Sequence, residues 1–404
     1  MSSAALVLRS LDTDGLRLAL DKHRRFLEGR SGGRRANLAY VDLTNRQLDG
    51  VDLRDADLTG ARLNGASLAE AKLAGSVLFG ADLRDTDLRR ADLSKADLRG
   101  ACLRGANLAH ADLSGCDLRE GRIALQDKAE GFRILQHEER PGELTFAVLS
   151  GANLAGAHMQ GLSAMAADFT DAALSGATLG GAKLIKAVMD GANLTGADLA
   201  GADLSGASLK RAILVRCDIG LSNLTNTDLT GVLKAPPMAV YIDDKPLEEI
   251  LAGHEAFCDS AGESGRHVRL PDTDFRSVPG GLKGRRLSGL SAPGSIFFGM
   301  NLQGVQLQGA DLSGCDLRGA NLKMADLRGA RLTDAQLTRA DLRGAKLGPL
   351  SIVDGRMLRT DLSRAVLRGA DLTGASAPRA RFLEADLTGA KLEGCNLKGA
   401  ELEA

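Results

Sequence analysis

Leucine-class residues recur at every fifth position of this chain, and that period decides what it can become. From Leu38 to Ile123 the spacing holds for 18 consecutive positions, Leu58, Leu98 and Leu118 among them. A second series of 18 runs from Leu144 through Leu154 and Leu194 to Leu229, with Met159, Ala164, Phe169, Met189 and Ile219 as its substitutes. A third series of 25 runs from Leu282 through Leu312, Leu342 and Leu397 to Leu402, with Ala292, Phe297, Ile352, Met357, Ala377 and Phe382 as variants. The 61 units cover about three-quarters of the 404 residues.

A period of five matches neither the helix, at about 3.6 residues per turn, nor the strand, at about 2. A square coil resolves it. Each pentapeptide forms one side, four sides make a turn of twenty residues, and successive coils stack as β-ladders about 4.8 Å apart. With the leucine at position i, position i−2 is usually Ala (Ala81, Ala91, Ala96) and i−1 is usually Asp or Asn (Asp82, Asp92, Asn107). Position i+1 is often Arg, Ser or Thr, and i+2 is often Gly. Leu at i and Ala at i−2 are expected to face inward, with the other three positions outward. Aromatic residues are only 3% of the chain, with no Trp, so the core must be aliphatic. The 49 glycines against nine prolines point to regular tight turns rather than disorder.

Units reading A-D-L-R-G and A-N-L-S-G resemble the pentapeptide repeat family, whose consensus is A-(D/N)-L-x-x. The resemblance spans all 61 units. It implies an all-β solenoid, a right-handed quadrilateral β-helix of about fifteen coils.

Three segments break the pattern and suggest the organisation. Residues 1–33 carry a helical stripe of Leu16, Leu20, His23 and Leu27 between Asp14 and Gly29, expected to cover the open end of a first β-helix at 34–233. Residues 124–143 read as a β-hairpin inserted in that helix, with a turn at 127–131. Residues 234–265 form a linker and a second helix opened by Pro246, ahead of a second β-helix at 266–404. The two helices look duplicated: Leu20-x-x-His23-x-x-Phe26 matches Leu251-x-x-His254-x-x-Phe257. The chain runs in repeat to Leu402, so Leu392, Leu397 and Leu402 are expected to form an uncovered coil on which a second copy could stack as a homodimer.

No residues assemble into a catalytic, cofactor or metal motif. The helices supply no second ligand to His23 or His254 at metal spacing. The phosphate-loop pattern is absent, and no G-x-S-x-G sits on the strand–turn–helix of a nucleophile elbow, the single match at Gly29–Gly33 following the helical stripe instead. Four of six cysteines fill the inward i−2 slot (Cys116, Cys217, Cys315, Cys395), while Cys102 at i−1 is the candidate reactive thiol. The absence of C-x-x-C pairs, of a signal peptide and of an 18-residue apolar run suggests a reduced, bacterial cytoplasmic setting without a membrane span.

With 51 basic and 52 acidic residues the net charge is −1. Residues 34–123 hold 14 of each sign, 144–231 hold 5 basic and 7 acidic, and 282–404 hold 18 basic and 13 acidic. These features favour a non-enzymatic protein-binding or scaffolding solenoid, with Phe132, Ile134 and Leu135 of the hairpin as its candidate contact. The resemblance also implies an alternative, DNA mimicry at DNA gyrase that protects it from inhibitors. Balanced charge and a basic second β-helix depart from that type. A third reading is binding of anionic nucleic acid or membrane by the basic half.

Overall fold

A computed structural model describes residues 8–127, 131–140, 142–352 and 355–402, with the side chains of 122–140 outside the described set. The chain divides into two compact units, Met1–Ala235 and Pro236–Ala404.

In both units the repeat closes on itself every twenty residues. Parallel bridges join Asp57 to Val77, Val77 to Asp97 and Asp97 to Asp117, and likewise Asn301 to Asn321 and Asn321 to Asp341. Leu and Ala fill the interior: Leu38, Leu58, Leu98, Leu118, Leu154, Leu194, Leu312 and Leu342 are all buried, as are Ala81, Ala91 and Ala96. The i+2 residue takes the left-handed region throughout, with φ near +60° at Gly60, Gly65 and Gly105, and at non-glycine residues such as Asn45, Asp85, Lys95 and His110. Where Gly is absent, asparagine, aspartate and long polar side chains mostly carry the turn, and apolar residues do so at Phe146, Ala166, Leu221 and Met324.

One unit shows how every amide is used. Ala81 N–H donates to the Leu78 carbonyl across the corner (3.0 Å). Asp82 N–H reaches back to Ala61 (2.9 Å), while Leu83 and Asp85 reach forward to Cys102 (2.8 Å) and Arg104 (3.0 Å) on the next coil. The fifth amide, of Arg84, has no backbone partner and donates instead to Asp82 Oδ1 (3.3 Å). The same pattern recurs at Ala340–Gly344, where Arg343 N–H donates to Asp341 Oδ1 (3.1 Å). The consensus Asp or Asn at i−1 is therefore a backbone requirement: it holds the one amide that the ladder leaves over.

Helix α1 (Thr13–Leu27) is capped by Asp12, which accepts from Gly15 N–H at 2.7 Å. Its Leu16 joins the core cluster of the first unit. Ahead of it, β1 (Arg9–Ser10) pairs in parallel with β2 (Val41–Asp42). Strands β3 (Gly121–Asp127) and β4 (Gly131–Arg140) pair antiparallel. Ile123, counted above as a repeat position, lies on β3 opposite Glu138 rather than in the coil. The ladder resumes at Glu143, bridged to Cys102, and His158, bridged to Asp117. At the return, a Cβ on Gly142 would fall on the Leu118 carbonyl oxygen, so only glycine fits.

In the second unit, β5 (Tyr241–Ile242) pairs with β6 (Lys245–Pro246), and α2 spans Leu247–Asp259, so Pro246 precedes the helix. Leu247 and Leu251 enter the core of that unit, and Arg285 ties α2 to the coil through Glu248 (2.9 Å) and Glu255 (2.7 Å). The first coil is wider: Arg269 bridges Ser291 and Asp274 bridges Ile296, with a short 3-10 helix at Phe275–Ser277 taking up the two extra residues. Strands β7 (Leu350–Ser351) and β8 (Met357–Leu358) form a further excursion. Ile352 and Met357 continue the five-residue spacing in sequence but leave the coil and are exposed. The ladder skips them, joining Arg331 to Asp361 and Lys346 to Ser376. Leu229, expected in the core, is 38% exposed, because no following coil covers it. Among the described residues, no helix is long and apolar enough to cross a membrane.

The ladder predicts a steep contrast between the middle and the end of a stack. Leu98→Ala, in mid-stack, should cost about 2–5 kcal/mol, whereas Leu229→Ala should cost a small fraction of that. Denaturant midpoints of the two variants against the parent check this.

Candidate interaction faces

The outward positions i−1 and i+1 build the faces, and their chemistry follows from the leftover amide. Once Asp at i−1 has turned toward the i+1 amide, an Arg at i+1 finds the same carboxylate within reach. Arg84 Nε donates to Asp82 Oδ1 at 2.8 Å and its Nη2 to Oδ2 at 2.6 Å. The same two-point clamp forms at Asp52/Arg54, Asp87/Arg89, Asp97/Arg99, Asp117/Arg119, Asp326/Arg328 and Asp341/Arg343. At Asp274/Arg276 and Asp316/Arg318 the guanidinium is almost fully covered, with 8% and 7% exposure. Thr or Ser at i+1 bonds the same oxygen, as Thr44 does to Asp42 at 2.6 Å.

These contacts set the acidity of the faces. Hydrogen bonding from Arg54 holds the Asp52 carboxyl below the usual carboxylate range. At Asp82 partial burial works the other way, but the Arg84 side chain, backbone and charge together still leave it lowered. The stabilisation these carboxylates give is complete above their ordinary values near pH ~4 and is lost as pH falls through the lowered folded values. Where Arg follows at i+1, carboxylate and guanidinium are thus locked to each other rather than free.

Apolar departures from this pattern are few. Phe146 occupies an i+2 position with φ +61° and is 56% exposed, its ring 5.7 Å from the Arg104 guanidinium. Met165 and Val188 are exposed on the following coils. A cavity of about 350 Å³ beside β8 is lined by Arg331, Asp361, Arg381, Met357 and Leu358. Its guanidiniums already meet carboxylates, Arg331 at Asp311 (3.8 Å) and Arg381 at Glu401 (3.3 Å).

The residues singled out by sequence fall in separate places. His23 and His254 are fully buried in α1 and α2, each stacked on its Phe, at 6.0 Å for Phe26 and 6.3 Å for Phe257. Phe132, Ile134 and Leu135 lie on β4, whose side chains are outside the described set. Leu392 and Leu397 are partly buried in the last coil, and Leu402 is 46% exposed. Cys102 is half-buried and donates to Glu143 Oε2 at 3.5 Å. Burial and the Glu143 charge push its thiol up, so it is held protonated rather than reactive. Burial likewise pushes Cys217 up to about 11 and Cys315 up to about 12. Among the described residues no group of three or more His, Cys, Asp or Glu is placed to hold a metal ion. The spacing shows Asp at i−1 and Arg at i+1 but not the leftover amide that brings them together, since it carries no record of which N–H lacks a partner.

Known proteins can now be set beside this geometry. The family model for pentapeptide repeats matches residues 36–120, 143–231, 286–348 and 359–403. Solved structures similar to the chain include the pentapeptide repeat protein Rfr23 from the cyanobacterium Cyanothece (30% identity over 34% of this chain and 87% of that one, TM-score 0.21). HetL, a pentapeptide repeat protein of Nostoc involved in heterocyst differentiation regulation, aligns at 23% identity over 96% of each chain with TM-score 0.15. QnrB1, a plasmid-mediated fluoroquinolone resistance protein, aligns at 21% identity over 49% of this chain and 89% of that one, with TM-score 0.22. A search of curated proteins finds no match.

The two functions of Asp82 are separable. Asp82→Ala should cost about 1–3 kcal/mol by orphaning the Arg84 amide. Asp82→Asn keeps the amide acceptor and loses only an exposed ion pair, worth at most about 1 kcal/mol. Equal losses in denaturant melts at pH 7 would show that the ion pair, not the amide, matters.

Proposed function

The chain belongs to the pentapeptide repeat family, and from that premise we propose that it is a non-enzymatic scaffold that binds a protein partner through the β3–β4 hairpin. The observation that carries this reading is the ladder's indifference to the insertion. Cys102 bridges Glu143 and Asp117 bridges His158 as though residues 122–142 were not there. A segment the coil does not need, held out from a stack with locked faces, is free to be shaped by recognition. Helices α1 and α2 serve as covers: each buries leucines in the core at the start of its stack, where strand edges would otherwise lie open.

The clamps weigh against DNA mimicry at gyrase, since an imitator of phosphate rows needs unpaired carboxylates, and here aspartates such as Asp82, Asp87 and Asp97 are tied to Arg within the same unit. They weigh equally against general anion binding, which needs free guanidiniums.

Removing residues 122–142 leaves Leu118 and Leu144 at five-residue spacing, so the deletion should keep the parent's circular dichroism and melting behaviour. Partner capture from host extract should be abolished. Undiminished capture by the folded deletion would refute the reading. A second copy stacking on the last coil would cover Leu392, Leu397 and Leu402. Light scattering should then report a dimer that Leu397→Lys converts to monomer.

A further inference from the structure

In every interior unit the i−2 amide donates to the leucine carbonyl of the unit before it, as Ala81 does to Leu78 and Ala340 to Leu337. The first unit of a stack has no unit before it. In the first stack the amide concerned is that of Ala36, and it donates to His23 Nδ1 at 3.1 Å. In the second stack it is that of Val268, and it donates to His254 Nδ1 at 3.3 Å. Two helices far apart in sequence thus put an imidazole nitrogen where the missing carbonyl would be. Both rings are completely enclosed, both stack on a Phe three residues on at an interplanar angle of 17°, and both leave Nε2 buried without a hydrogen-bond partner of normal geometry.

We propose that His23 and His254 are matched protonation latches, which hold α1 and α2 over the first coil while neutral and release them when charged. Accepting an N–H at Nδ1 requires that nitrogen to be unprotonated, so the ring's single proton sits on Nε2. A second proton would turn Nδ1 into a donor facing a donor and place a cation in a fully enclosed site.

The surroundings differ between the copies. At His23, burial opposes the charged ring, and so does Arg35, while the Arg54 carbonyl, Asp52 and Asp55 favour it; the balance lowers its proton affinity. At His254, burial and the neighbouring His267, its ring 5.4 Å away, oppose the charge. The Ser288 and Arg266 carbonyls and Glu255 favour it, and the balance is again lowered. Glu255 is itself engaged by Arg285 at 2.7 Å. A lowered folded affinity means that the latch is intact above the ordinary imidazole value of about 6.5 and weakens as pH falls toward the folded value. Release would uncover the strand edge of the first coil in each stack.

The test is hydrogen exchange on the full chain between pH 7.5 and 5, corrected for intrinsic chemistry, beside an NMR titration of the two rings. Exchange of residues 13–27 and 247–259, and of the Ala36 and Val268 amides, should accelerate by up to about tenfold per pH unit as pH falls from about 6.5 to the rings' own titration in the closed state, and level off below it. Mid-stack amides such as Leu98 and Leu327 should not change. The double variant His23→Asn, His254→Asn offers a non-titrating acceptor and should lose the acceleration. Helix exchange that stays flat between about pH 6.5 and the rings' own titration overturns the proposal, and so does an acceleration that survives in a folded double variant.

Discussion

The structure depends on one hydrogen bond that the ladder cannot make. Four of the five amides in each unit find backbone carbonyls, one across the corner and three on adjacent coils, while the fifth, at i+1, points along the face with nothing opposite it. A carboxylate or carboxamide two residues back reaches it, and a shorter or longer side chain does not sit as well. That local contact repeats at Asp42, Asp57, Asp92 and Asn153, and it makes each pentapeptide a closed account of donors. Where i−1 is Ser67, the acceptor for the Ala69 amide comes from Asp49 on the adjacent coil. The requirement outlasts the consensus residue.

This explains how much could be read from the residues alone. Leu at i and Ala at i−2 report the interior directly, because only their size and polarity matter, and Leu98 or Leu342 lies where its spacing puts it. Ile123, Ile352 and Met357 keep the spacing yet leave the coil. Membership of a coil is decided by the strand twenty residues away, and five-residue spacing within the chain carries no information about that partner. Leu229 shows the same limit from the other side: its own unit is regular, but a coil is buried only when another follows it. The role of His23 was hidden for a third reason. Its duplication at His254 was visible, but its purpose appears only once the i−2 amide of the first unit is seen to lack its usual acceptor.

The same accounting explains why insertions are tolerated at corners. A hairpin returns to its starting point, so β3 and β4 bring Gly121 and Arg140 opposite each other, and the coil resumes at Glu143. The entropic cost of a longer closed loop rises only slowly with its length. The smaller excursion at β7–β8 uses the same device, with Leu350 and Leu358 packed against Gly329, where a side chain would block them.

A partner meeting the regular faces would see closely similar units every five residues along the chain and every twenty along a column, and could slide by one coil at little cost, much as a strand with a two-sided polar pattern slips register. Regularity supplies rigidity but not address. What fixes a position on such a surface is whatever breaks the repeat. Phe146 is exposed at a left-handed position that Gly or Asn would occupy more easily, beside the return of the hairpin, with Met165 and Val188 on the coils that follow. Leu221, exposed at another left-handed position, stands apart at the end of the first stack, whereas Phe146 and Met165 lie close to the hairpin's return, where a binding surface with a single register can be built.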